Sequence, residues 1–146
     1  MRMRGIAFLA LGLITLTLPA QAGEMCVTIG EVSSQVAGKG ASYEPMLRAA
    51  SEDELRLLNL KQVPASKRVV VSVALVRLDT LAQQHSVDAT CKVTATLRDA
   101  RAGTLFAVLE GQAQASSSEP PGAVESSAVR GAIHGALAHI PEALRR

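Results

Sequence analysis

The strongest pattern in the chain is the alternation of residues 87–98. Ala89, Cys91, Val93, Ala95 and Leu97 share one parity, and Thr90, Lys92, Thr94, Thr96 and Arg98 share the other. A period of two puts these sets on opposite faces of a half-buried strand. Residues 104–115 repeat the pattern, with Leu105, Ala107, Leu109, Ala113 and Ala115 against Glu110, Gln112 and Gln114. The Asp99–Gly103 stretch between them has the length and terminal glycine of a hairpin loop. Residues 69–78 are apolar at both parities, with valine at 69, 70, 71, 73 and 76, as in a strand covered on both sides. Residues 79–87 then read as a polar connection. A shorter alternation over 25–32 predicts a first strand.

Two segments have helical periodicity instead. In residues 43–60, Pro45 suits a first turn, and Ser51-Glu52-Asp53-Glu54 has the form of a capping box before Leu55 and Leu58. In residues 123–144, Val129, Ile133, Leu137, Ile140 and Leu144 recur at threes and fours as one apolar stripe. Pro141 either kinks this helix or starts a last turn. The order β-α-β-β-β-α predicts an α+β fold: a mostly antiparallel sheet of about four strands with helices packed on one face.

The N-terminus changes how the rest is read. Arg2 and Arg4 precede an apolar run, Gly5 to Leu18, which closes on Ala20-Gln21-Ala22. This is the three-part form of a secretory signal, with cleavage expected between Ala22 and Gly23. The run is short for a transmembrane helix, which needs about 20 apolar residues. Residues 1–22 are thus expected as a signal peptide and 23–146 as one mature domain, periplasmic or secreted. Gly23-Glu24-Met25 before Cys26 does not fit a lipobox, so no lipid anchor is expected.

The formal net charge of +2 resides in this leader, because Arg2 and Arg4 account for both units. The remaining chain is balanced and has no basic footprint for nucleic acid. Aromatic residues are scarce, with no Trp, one Tyr and two Phe in the whole chain, one of them in the leader. A stacking platform for sugars or bases needs more.

Cys26 and Cys91 form an even pair in an exported chain, which predicts one disulfide. The parities conflict, however. Cys91 shares the core parity of its strand, whereas Cys26 falls opposite Met25, Val27 and Ile29. Either Cys26 precedes regular pairing or a bulge intervenes.

Candidate chemistry is sparse. His134 and His139 are five apart, not the four of a helical metal pair. His85, Ser86 and Asp88 lie close in sequence but lack an elbow or oxyanion loop. No catalytic residue, metal site or cofactor is expected. Gly131 and Gly135 make a Gly-x-x-x-Gly that serves close packing, on the sheet or on a partner helix. Phe106 and Val108 interrupt the polar parity of the last strand. With Val70 they form a candidate apolar interaction surface, unless the segment 43–60 covers them. The Thr90–Arg98 polar row suits a solvated face or an anion or glycan.

Residues 67–146 also resemble a known type of domain. A valine-rich strand leads to a strand ending Leu97-Arg98-Asp99. A loop with Gly103 follows, and then a strand ending Glu110-Gly111-Gln112-Ala113. After a Ser/Pro loop comes the helix Ala128-Val129-Arg130-Gly131-Ala132-Ile133, closing on Ala143-Leu144. This half is similar to small bacterial envelope domains of the curli-secretion CsgG, TolB N-terminal and LpoB type. The resemblance implies a non-enzymatic protein that assembles with other envelope proteins. It carries over no functional residue. The expected function is therefore an exported interaction protein in envelope assembly or secretion, with a protein partner and possible self-association. The alternative is a secreted inhibitor acting through a loop such as 30–42 or 99–103.

Overall fold

The structure, a computed structural model, describes residues 26–37, 40–64 and 66–146. The expected signal peptide lies outside the described residues. Four strands and three helices follow in order: β1 (Val27–Ser34), α1 (Gly40–Leu57), β2 (Val69–Ala82), β3 (Val87–Asp99), β4 (Leu105–Ser117), α2 (Pro121–Leu137) and α3 (Ile140–Ala143). The sheet order is β1-β2-β3-β4. β2, β3 and β4 form an antiparallel meander, and β1 pairs parallel to β2 through the α1 crossover. The predicted α+β architecture is the one observed.

The alternation of β3 decides which face is buried. Ala89, Cys91, Val93, Ala95 and Leu97 are fully buried, while their neighbours face out. Val69, Val71, Val73 and Leu75 of β2 join them, and α1 and α2 close the layer with Leu47, Leu55, Val129, Ile133 and Leu137. Each such side chain contributes about 1.5–3 kcal/mol by leaving water. Valine, leucine and alanine fill this core with a single aromatic, Tyr43.

α2 lies unusually close to β4. A Cβ added at Gly111 would overlap the carbonyl oxygen of Ala132, and one at Gly131 would stand 2.9 Å from the Ala113 Cβ. Gly135 lies over the Gly111 Cα. The Gly-x-x-x-Gly thus serves packing of helix on sheet. No helix among the described residues is long and apolar enough to cross a membrane.

The elements depart from the sequence reading in four places. β2 runs on to Ala82, because residues 79–82 find antiparallel partners at Val87–Thr90 of β3. α1 begins before the predicted capping box and runs through it. Ser51 is completely buried, and its Oγ has no hydrogen-bond partner. Pro141 starts a separate last turn after α2 has ended at Leu137.

The fourth departure is the disulfide, which is not formed: Cys26 and Cys91 are both free thiols. Strand order explains this. Cys26 immediately precedes β1 at the end where Val27 meets Val69. Cys91 lies two strands away and pairs with Leu78, while Val69 pairs with Asp99. Eight residues separate Asp99 from Cys91, about 26 Å along the strand, with about 10 Å across the sheet. A disulfide tolerates a Cα separation of roughly 4.4–6.8 Å. Of the two explanations of the parity conflict, the first fits: Cys26 precedes the strand, and the bulge lies beyond Ile29.

Candidate functional site

The helices occupy one face of the sheet and leave the other open. α1 packs on β1 and α2, not over the outer face of β2 or β4. The open face is mixed, with Ser72, Thr90, Thr94, Thr96, Gln112 and Gln114 among charged residues, of which Lys92 and Glu110 form an ion pair of 3.2 Å across β3 and β4. Its composition changes at one end. Cross-strand register aligns Val70, Arg98 and Leu105 in one row and Ser72, Thr96 and Val108 in the next. Leu105 is 55% exposed and Val108 52%.

Phe106 belongs to this end but not to this face. Leu97 pairs with Ala107 and Arg98 with Leu105, so Phe106 is the extra residue of a β-bulge. A bulge re-aims its side chain. The Phe106 ring, 40% exposed, lies 4.9 Å from Lys67 Nζ. Lys67 in turn donates to the Leu144 carbonyl at 2.8 Å. Phe106 therefore borders a cleft of about 500 Å³ between the β4 edge and the last helical turn, lined also by Val108, Leu109, His139, Glu142 and Arg146.

Of the predicted interaction residues, Val70 and Val108 lie at the same end of the open face but on either side of β3, with Arg98 and Thr96 between them. Phe106 stands at the adjoining edge. Gly131 and Gly135 lie in the opposite layer, against β4. Val70 is half-covered, because its Cγ1 fills the space above Gly30 of the neighbouring strand.

The two edges of the sheet differ. β1 is short, carries a bulge, and has its Gly30 carbonyl capped by Arg48 Nη2 at 2.9 Å. β4 has 13 residues, and Glu110 is its single charge. It contains no proline, lysine or arginine. Those are the devices that normally protect an edge from pairing with another chain.

Among the described residues one acid is buried, Glu125, and its role is not evident from the sequence alone. Glu125 of α2 accepts hydrogen bonds from Tyr43 Oη and from Thr80 Oγ1, each at 2.7 Å. It ties α1, α2 and the end of β2 together. Burial, then the bond to Glu125, push the Tyr43 hydroxyl up to about 12. Burial alone pushes the Cys91 thiol up to about 12. A thiol and a phenol held protonated are poor nucleophiles at neutral pH. The signal for Glu125 lay in the stripe it shares with Val129 and Ile133, where an acid needs a partner.

The histidines stand apart. His134 meets Glu54 at 2.9 Å and links α2 to α1. His139 borders the cleft, and His85 lies in the turn between β2 and β3. Among the described residues, no three His, Cys, Asp or Glu side chains converge as metal ligands. The 99–103 loop is closed by its own aspartate. Asp99 accepts from the backbone N–H groups of Ala102 and Arg101, which hold its carboxyl below the usual range, and Gly103 has φ 68°.

No protein-family model and no curated protein sequence matches the chain. Solved structures do share its fold. The PelC dodecamer from Paraburkholderia phytofirmans superposes with a TM-score of 0.57 at 16% identity, over 82% of this chain and 88% of that one. A single-substitution variant of that dodecamer gives 0.58 at 16% identity, over 77% and 85%. A putative lipoprotein from Caulobacter crescentus gives 0.51 at 14% identity, over 82% and 87%. The likeness is one of fold. None of the three is named as a CsgG, TolB or LpoB protein.

Proposed function

We propose that this chain is an exported protein of the bacterial envelope whose single domain, residues 23–146, acts by assembly and not by catalysis. It associates with copies of itself and, through that assembly, with an envelope partner. The observation that carries this reading is the bare end of the sheet, where Leu105 and Val108 are exposed beside an unprotected 13-residue edge. Exposed apolar groups beside an open edge are the usual mark of a protein contact. The leader pattern of residues 1–22 supports export. The fold it shares with a PelC dodecamer and with a putative lipoprotein supports an assembling envelope protein.

The test is expression of the full chain in a Gram-negative cell, followed by fractionation and crosslinking. The expected result is a mature N-terminus at Gly23 in the envelope fraction and a ladder of crosslinked homo-multimers. An unprocessed cytoplasmic chain, or a processed chain that crosslinks to nothing, overturns the reading.

A further inference from the structure

We propose that β4 is the self-association edge, pairing antiparallel with β4 of a second copy about a twofold axis that passes at Gln112. The two sheets then continue as one of eight strands. This inference rests on the self-assembly reading above and names the surface that performs it.

Three observations select this edge and this occupant. First, the sheet has two ends, and only one is open to pairing. At β1 the Arg48 guanidinium occupies the Gly30 carbonyl, and the bulge between Ile29 and Val32 breaks the ladder. A head-to-tail contact of β4 with β1 of another copy would have to displace Arg48 and bridge the bulge, whereas β4 meets neither obstacle along Ala107–Ser117. An edge that cannot use the opposite edge pairs with itself, which is the isologous arrangement of a twofold dimer.

Second, β4 is self-complementary. The Phe106 bulge ends its flat run, so the regular part is Ala107–Ser117, with Gln112 at its midpoint. Antiparallel pairing about Gln112 sets Glu110 opposite Gln114 of the second copy and Gly111 opposite Ala113. Val108 meets Ser116, and the two Gln112 amides face each other. Each carboxylate meets an amide and no two charges of like sign oppose, as stable cross-strand pairs require. An axis at Glu110 would instead set two carboxylates against each other. About ten backbone hydrogen bonds form along such a run.

Third, an arginine stands near one end of β4 and a glutamate near the other. Arg146, 81% exposed and paired with Glu142 of its own chain at 3.1 Å, stands at the cleft beside Phe106 and Val108. Glu119 follows the other end of the strand and is exposed. Antiparallel pairing brings Glu119 of the second copy past Ala107 towards Arg146, and repeats the contact on the other side of the axis.

The experiment uses the chain from Gly23 to Arg146. Gln112→Cys in a Cys26→Ser background, treated with a short bis-maleimide, is expected to give a covalent dimer. Arg130→Cys, on the exposed side of α2, is expected to give none. Gln112→Lys places two ammonium groups opposite each other and is expected to halve the assembly mass at concentrations where the wild type is assembled. Glu31→Lys on β1 is expected to leave the mass unchanged. An assembled wild type that shows neither the Gln112→Cys crosslink nor the Gln112→Lys effect overturns the β4 pairing and leaves self-assembly standing. A monomeric wild type overturns both. Should Gln112→Lys fail to fold, the Gln112→Cys crosslink decides the question alone.

Discussion

Gly111 of β4 lies directly beneath Ala132 of α2, so close that a single added methyl group would occupy the position of a backbone carbonyl oxygen. Backbone cannot move aside as a side chain does. Gly111→Ala is therefore expected to destabilise the domain by about 3 kcal/mol, the upper part of the usual range for overpacking. Gly122 of the same helix has open space around it. Gly122→Ala is expected to be neutral or to stabilise by up to about 1 kcal/mol. Urea unfolding midpoints of the two variants check the contrast, and equal midpoints would contradict the close approach.

Ser51 separates the sequence reading from the structure. As the N-cap of a capping box, its replacement by alanine costs about 1 kcal/mol. In the structure it lies mid-helix on the buried stripe Tyr43, Leu47, Ser51, Leu55, with an unpaired hydroxyl. Ser51→Ala is then expected to stabilise by about 1 kcal/mol, through helix propensity and the loss of a buried unsatisfied group. A lower melting temperature for Ser51→Ala would restore the cap.

Tyr43 is the one tyrosine of the chain, so its ionisation is read directly from ultraviolet absorbance. Its hydroxyl is expected to titrate at about 12 in the folded protein against 10.0 unfolded. Because the folded value is the higher one, the stabilisation is complete below pH 10 and is lost as pH rises towards 12. The Cys91 thiol acts in the same direction, from 9.0 upward. Tyr43→Phe leaves the buried Glu125 carboxylate short of one donor, at a cost of about 1–3 kcal/mol. It is also expected to flatten the alkaline loss of stability. A Tyr43 titration near 10 would mean that the hydroxyl is neither buried nor bonded to Glu125.

Two free thiols make a chemical prediction. Cys26 is half-exposed and Cys91 is buried. Iodoacetamide is expected to modify one thiol per native chain, at Cys26, and two after denaturation without reductant. A fully oxidised chain that takes up no label until it is reduced would reinstate the disulfide.

The inner and outer faces of β3 and β4 were legible in the sequence because a period of two is a local property, set by the pleat. The helix stripe at Val129, Ile133 and Leu137 was legible for the same reason. The sheet's second edge was not, because the parallel pairing of β1 with β2 joins residues some 40 positions apart and leaves no local trace. The disulfide failed on this point: cysteine parity gives direction, and strand order sets distance. Phe106 was assigned to the face of Val108 by parity, and one extra residue in the strand moved it to the edge. Ser51 was read as a cap because its local signal is real. Packing of Tyr43, Leu47 and Ala50 on the preceding turns overrode that signal.

If the domain works by assembling through the uncovered end and edge of its sheet, native mass spectrometry of the chain from Gly23 to Arg146 is expected to show species containing an even number of copies, built on a dimer that persists as the protein is diluted to micromolar concentration. A monomer at every concentration would contradict it.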